Sequence, residues 1–353
     1  MKILSLFDGM ACGMIAMLNA GIEIESYDAY EIDKYAIKVS SHNFPNIRHH
    51  GDVFKADFTQ YEGCDFLIGG SPCTYWSIAK KSNRETVASG MGWQLFSQYM
   101  RAVKETKPKF FIYENNKSMS GAIRESIDRA FGFEAIHINS ALLSAQNRQR
   151  LYWVGMRNPD GTYSKVPVDQ PEDRYILLCD VIHTGEPINT TTNGKAQCLR
   201  DTYYKDGIRN LVGNNVDRRT GVAAPVEVDS GVHSKTISCA DGKTYPVYEV
   251  KDGQVTIKGR KYPIRLADGF YIFRKLTVAE CMRLQTVPEW YDFSVISNSQ
   301  AYKCLGNGWT CDVITHLIKT TQEEKVNENH VRRGRKDAPV RPPLGWWLGS
   351  VCQ

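Results

Sequence analysis

The chain has 353 residues, 42% of them hydrophobic and 24% charged, enough for a large core in two domains or in one domain with a big insertion. Its formal charge of +5 permits a nucleic-acid partner without requiring one. Ten cysteines without any Cys-x-x-Cys pair exclude a disulfide scaffold, a zinc ribbon and a dithiol redox motif. No leader-like start or run near the ~18 apolar residues of a membrane span is present, so the expectation is a cytoplasmic, metal-free monomer with reduced thiols.

Residues 1–157 alternate short apolar runs with helical patterns, which predicts a doubly wound α/β fold with a mostly parallel sheet. Strands are expected at 3–7, 24–29, 66–68, 110–113, 135–139 and 151–154, and helices at 14–19, 34–41 and 95–105. The first strand ends in Phe7-Asp8-Gly9-Met10-Ala11-Cys12-Gly13, a glycine turn opening into a helix, where backbone approaches a ligand closely and helix amides are free. A tight turn needs glycine in any case, so the turn alone leaves nucleotide binding open. Glu31, about 20 residues on and followed by Ile32, stands where an acid accepts hydrogen bonds from ribose hydroxyls. Asp52, followed by Val53, closes a third strand and can read an adenine amino group. The spacing of Gly9 and Gly13 is not Gly-x-Gly-x-x-Gly, which favours a nucleoside without a pyrophosphate, such as S-adenosylmethionine.

The run Phe66-Leu67-Ile68 stops at Gly69-Gly70 and presents Ser71-Pro72-Cys73, a thiol behind a stiff proline at the rim of a sheet, where ligands of open α/β sheets bind. A free cysteine is equally a small buried hydrophobe. Basic residues Lys80, Lys81 and Arg84 follow it, in a loop over 77–93 rich in Lys, Arg, Ser and Gly that suits a cover over a substrate; Trp76 and Ile78 read as packing residues. Glu114 stands at the end of the next strand, as an acid at the cleft or a helix cap. In Gln146-Asn147-Arg148-Gln149-Arg150 the two arginines at i and i+2 of an extended segment should point the same way, toward one anion or carbonyl.

From 158 to 273 Gly, Asp, Asn, Thr and Pro become frequent and no long amphipathic helix is visible, the texture of a loop-rich β insertion. Arg218, Arg219, Lys258 and Arg260 lie here and, with the two earlier basic clusters, suggest a track for phosphates. Helical pattern returns at Thr277 to Gln285, where Thr277 and Glu280 make a capping box, and again from Thr310 to about Thr320. The tail beyond Lys325 shows no periodicity, with Trp346 and Trp347 suggesting that its end docks.

Taken in order, Phe7-Asp8-Gly9 with Gly13, Glu31, Asp52, Ser71-Pro72-Cys73 with Ser77, Glu114-Asn115, Gln146-x-Arg148-x-Arg150, Arg274-x-Leu276-Thr277, Arg283-Leu284-Gln285 and Gly306-Asn307 form a pattern that resembles the DNA (cytosine-5)-methyltransferases of bacteria and phages. The likeness covers about 1–157 and 274–320. It implies a Rossmann-like S-adenosylmethionine-dependent methyltransferase sheet in two pieces, 1–157 and 274–322, a target-recognition domain over 158–273 and a tail over 323–353. It further implies Cys73 as nucleophile, Glu114 at N3 of the cytosine, Arg150 at its O2, and Arg148 beside them. The cofactor would be held by Phe7, Asp8, Gly9, Gly13, Glu31, Ile32, Asp52, Val53, Ser71, Pro72, Leu95 and Asn307. Ser77, Lys80, Lys81, Arg84, Arg218, Arg219, Lys258 and Arg260 are the candidate DNA contacts. Double-stranded DNA is the implied partner, with a cognate restriction endonuclease as a second candidate. RNA methylation and an inert DNA-binding relative are the alternatives. The chain departs from the pattern at Thr74, Asn116 and Gly308-Trp309, the last near the cofactor pocket.

Overall fold

The computed structural model describes residues 1–78, 82–212, 219–227, 236–238 and 244–336. The first half builds an eight-stranded sheet from β1 (Lys2–Leu6), β2 (Ser26–Tyr30), β3 (Arg48–His49), β4 (Phe66–Gly69), β5 (Phe110–Asn116), β6 (Ile136–Asn139), β7 (Gln149–Arg157) and β8 (Tyr163–Lys165). The order is β3-β2-β1-β4-β5-β7-β6, with β8 on β7; β7 runs antiparallel to both its neighbours and the pairs from β3 to β5 are parallel. Strands β1, β4 and β5 are buried almost throughout because helices cover both faces, which explains why they read as unbroken apolar runs. The first sheet therefore continues through β8, past the change of composition at 158.

The helices are α1 (Cys12–Asn19), α2 (Lys34–Asn43), α3 (Gly90–Thr106) and α4 (Gly121–Phe131), then α5 (Ile208–Val212), α6 (Val278–Leu284), α7 (Asn298–Asn307) and α8 (Cys311–Lys336). Local chemistry sets several ends. Asp33 accepts from the amides of Tyr35 and Ala36 at the start of α2, Ser120 caps α4, and Gly132 ends α4 at φ +82°, a conformation open to glycine. The Thr277–Glu280 capping box is present. Helix α3 begins five residues before the expected Leu95, and α8 runs to Lys336 where the tail was expected to lose structure. Its first turns bury Val313, Ile314, Leu317, Ile318 and Thr321, and the backbone continues as helix to Lys336.

The middle of the chain forms a second, antiparallel sheet from β9 (Glu186–Ile188), β10 (Gly221–Pro225), β11 (Thr236–Ser238), β12 (Thr244–Lys251), β13 (Gln254–Ile257), β14 (Arg260–Pro263) and β15 (Gly269–Arg274). It is more regular than a loop-rich insertion. Lys258-Gly259, at φ +50° and +77°, make the two-residue turn between β13 and β14. The molecule is thus an α/β fold with a mixed, mostly parallel sheet and a separate antiparallel sheet. Helix α8 closes the first sheet by laying Val313, Ile314, Leu317 and Ile318 in one core with Met14 and Met17 of α1.

Candidate active site

The turn after β4 is bolted to the end of β5. Asn115 Nδ2 donates to Ser71 O (3.1 Å), and the hydroxyls of Ser71 and Tyr113 lie 2.6 Å apart. Cys73 then opens a 3₁₀ turn whose carbonyl accepts from Trp76 N and Ser77 N. Trp76 is buried, with Nε1 on Glu85 Oε2 (3.1 Å). Cys73 is half-buried; burial pushes its thiol up, Arg150 opposes, and Glu114 adds to the rise.

Glu114, 8% exposed in β5, faces Arg150 of β7, with Nε 2.8 Å from Oε1. Burial opposes the charge of Arg150, but Cys198, Glu114 and Cys73 around it outweigh that and raise it. Arg148 does not share this target. Its Nη1 donates to Leu199 O (3.0 Å) and its Nη2 to Gly306 O (3.1 Å) and Gly308 O (2.8 Å). The expected convergence of the two arginines fails because Arg148 lies just before the β7 ladder, where its fork satisfies carbonyls left open at the end of α7. Arg148 frames the site and Arg150 enters it.

Three residues of the site carried no clear signal of their roles in the sequence. Cys198 lies 3.5 Å from Arg148 Nη1; burial raises its thiol, but Arg148 and Arg150 outweigh burial and lower it. Trp309, noted only as a departure from the pattern, donates from Nε1 to Glu114 Oε2 (3.0 Å). Gln285 knits the frame: its Oε1 accepts from Gln146 Nε2 (3.1 Å) and Thr310 Oγ1 (2.9 Å), and its Nε2 donates to Leu305 O (2.6 Å). The motifs around residues 146, 285 and 306 are therefore one buried polar network.

At the turn after β1, Phe7, Gly9 and Ala11 all have φ near +60°. Glu31 ties this turn to the one after β2, its Oε2 accepting from Gly9 N and its Oε1 from Ile32 N and Asp33 N, each at 2.8 Å. Asp52 caps a 3₁₀ turn by accepting from Phe54 N (3.0 Å); Val53 is buried there and Ile32 is 76% exposed. Leu95 is half-buried in α3, Pro72 is exposed, and Asn307 is exposed at the end of α7. A Cβ on Gly9 would meet nothing within 4 Å, so this edge of the turn is open. Gly13 also has a packing role that its place in the motif did not reveal. A Cβ there would lie 2.3 Å from Ile68 Cδ1 and 2.8 Å from Tyr27 Oη, so the missing side chain lets α1 lie close on the sheet. Asp8 is buried; its Oδ1 accepts from Ser5 Oγ (2.6 Å) and Tyr27 Oη (2.7 Å), its Oδ2 has no partner in the protein, and burial pushes it to about 6. Acids after β1, β2 and β3, an open glycine edge and an orphaned buried acceptor fit a nucleoside cofactor with a donor-rich end.

Arg84, expected on DNA, spends Nε on Trp76 O (2.9 Å) and Nη2 on Ser118 O, which clasps the loop after Cys73. Ser77 is half-buried, whereas Ile78, read as a packing residue, is 66% exposed. Arg219 is held by Asp206 (2.6 Å). Lys258 and Arg260 are exposed at the tip of the β13–β14 hairpin. Lys80, Lys81, Arg218 and the end of the tail lie outside the described residues. Among the described residues no helix is long and apolar enough to cross a membrane, and no cluster of His, Cys, Asp or Glu has metal-binding geometry.

The family model for C-5 cytosine-specific DNA methylases matches residues 1–323. The chain is similar to the orphan methyltransferase M.SPRI of Bacillus phage SPR, 35% identical over 93% of this chain and 99% of that protein. It is also similar to the type II methyltransferase M.FnuDI of Fusobacterium nucleatum, at 24% identity over 94% and 97% of the two chains. In fold it matches the Dnmt2 methyltransferase of S. pombe with a TM-score of 0.57 (13% identity, 92% of this chain and 98% of that one). The Entamoeba histolytica methyltransferase EhMeth matches with a TM-score of 0.58 (13%, 92% and 98%). A family model spanning the two-piece sheet and the segment between, and a full-length relative at 35% identity, agree with a cluster of Cys73, Glu114 and Arg150: the chain belongs to the C-5 cytosine-specific DNA methylases and is a DNA (cytosine-5)-methyltransferase.

Proposed function

We propose that the chain methylates C5 of a cytosine turned out of double-stranded DNA, with S-adenosylmethionine as methyl donor and a transient bond between Cys73 Sγ and C6. The observation that carries this is the cluster of Cys73, Glu114 and Arg150, in which Arg150 Nε lies 2.8 Å from Glu114 Oε1 and both charges act on the Cys73 thiol. C5 is a poor nucleophile within an aromatic ring. Addition of the Cys73 thiolate to C6 makes C5 enamine-like, and the electron density that builds on the ring is spread through N3 and O2. Glu114 meets the N3 edge and Arg150 the O2 carbonyl. Loss of the C5 proton and departure of Cys73 then restore the aromatic ring. When bound, S-adenosylmethionine supplies the electrophilic methyl group; Asp8, Gly9, Glu31 and Asp52 are the residues that would hold it.

A stacked base cannot reach this cleft, so the target is turned out at a cost of a few kcal/mol. The exposed Ile78, the Arg84 clasp and the basic hairpin tip at Lys258 and Arg260 are the surfaces this reading assigns to the duplex. Arg148 has a framing role, and Lys80, Lys81 and Arg218 stay candidate phosphate contacts on sequence grounds alone. A cognate restriction endonuclease would cut the sequence this enzyme protects, and mapping 5-methylcytosine in DNA from expressing cells identifies that sequence.

Duplex DNA carrying 5-fluorocytosine tests the reading, because fluorine blocks the elimination and traps the protein on DNA. The expected result is a covalent adduct on duplex with donor present, absent in Cys73→Ala. With the thiol raised by burial, the trapping rate should climb with pH up to at least 9. An adduct that survives Cys73→Ala removes the assigned nucleophile, and methyl incorporation into transfer RNA but not duplex replaces the substrate.

A further inference from the structure

Glu114 is held by two donors of different kind. Arg150 Nε lies 2.8 Å from Oε1, and the indole Nε1 of Trp309 donates to Oε2 at 3.0 Å. A carboxylate oxygen has two lone pairs, so one on each oxygen stays free after both bonds are made. The plane of the carboxyl is fixed while a hydrogen-bonding edge remains for an incoming base.

The backbone that carries Trp309 is pinned on both sides. Gly308 O accepts from Arg148 Nη2 (2.8 Å) and Gln285 Nε2 (3.2 Å), Gly306 O accepts from Arg148 Nη2 (3.1 Å), and Thr310 Oγ1 donates to Gln285 Oε1 (2.9 Å). The Trp309 ring packs against both the core that α8 forms with α1 and the cluster built around α6 and α7, so it cannot swing freely. Room for the bond comes from Gly70. A Cβ there would stand 2.8 Å from Glu114 Oε2 and 3.3 Å from Trp309 Nε1. An isolated carboxyl on a strand would turn about its last bond, whose torsional preference is broad; two donors at fixed places remove that freedom.

Resting on the function proposed above, we infer that Trp309 is a positioning residue. Its indole N–H and Arg150 Nε together set the carboxyl of Glu114 to meet the Watson–Crick edge of the flipped cytosine. The effect falls on the chemical step, because the orientation matters once the ring is in place and Cys73 attacks. The buried polar network of Gln146, Arg148, Gln285 and Thr310 then acts on Glu114 through Trp309, which gives that network a part in the reaction without touching the base.

The test replaces Trp309 by Phe and, site-specifically, by 3-benzothienylalanine, which keeps the fused ring and substitutes sulfur for the N–H. Both should lower the single-turnover rate by about tenfold, with KM for duplex and for donor unchanged within about twofold. The benzothienyl variant retains the packing, so a wild-type rate there overturns the proposal even if Trp309→Phe folds poorly. The bond is read independently from the indole N–H resonance of Trp309, assigned by its loss in Trp309→Phe. It should move in Glu114→Gln, and an unmoved resonance also overturns the inference. If wild type forms no adduct on 5-fluorocytosine duplex while the resonance does move, the contact stands; the methylation reading falls, and the catalytic role of Trp309 falls with it.

Discussion

Asp8 joins burial to an acceptor oxygen that the protein itself leaves unused. In the unfolded chain its carboxyl titrates near 3.8, and in the fold at about 6. The folded state therefore binds the proton more tightly, and stability falls as pH rises from about 4 to about 6, with the cost complete above that. Asp8→Asn, which keeps Oδ1 for Ser5 and Tyr27, should raise stability at pH 8 by up to about 3 kcal/mol, with the gain vanishing near pH 4 in urea titrations. Donor affinity, measured by calorimetry, should fall in the same variant if Oδ2 serves the cofactor. Residue identity and order were enough to single out Asp8, Cys73, Glu114 and Arg150 in the sequence. Arg148 and Trp309 were not legible in their roles, since spacing by two residues describes direction only inside a strand and an indole 195 positions from its carboxylate has no local signature.

Among the elements, α1 shows how a motif glycine can belong to packing. Gly13→Ala drives a methyl toward Ile68 Cδ1 and Tyr27 Oη; a shift in thermal denaturation equivalent to about 1–3 kcal/mol is expected. An unchanged midpoint would show that Ile68 moves aside freely. Capping chemistry made α6 readable from Thr277 and Glu280 alone, because both partners lie within one turn. The far end of α8 was unreadable by apolar period, since no such period runs past Lys325 in the sequence while the backbone continues as helix to Lys336. Strand β7 was found but its direction was not, for antiparallel insertion between β5 and β6 is decided by the path of the chain.

At the scale of the molecule, buried polar bonds tie segments far apart in the chain. Lys195 is 3% exposed and donates from Nζ to Ala141 O (2.8 Å), Ser144 O (3.3 Å) and Ile176 O (2.6 Å). Burial lowers its pKa. Lys195→Met would leave these carbonyls without their donor and should cost about 3 kcal/mol in urea unfolding; a loss below 1 kcal/mol would mean water replaces the ammonium. The sequence alone determined the α/β class, the β character of the middle, the family resemblance and the order of the chemical groups. Each rests on short-range pattern: buried parallel strands are apolar without break, turns need Gly and Asn, and motif residues keep their order. The tertiary structure alone decided that Arg150 and not Arg148 pairs with Glu114, that Gly13 serves packing, and that Trp309 reaches Glu114. Those outcomes depend on which carbonyls, cavities and side chains distant segments bring together, and the burial that gives such contacts their energy exists only once the chain has closed on itself.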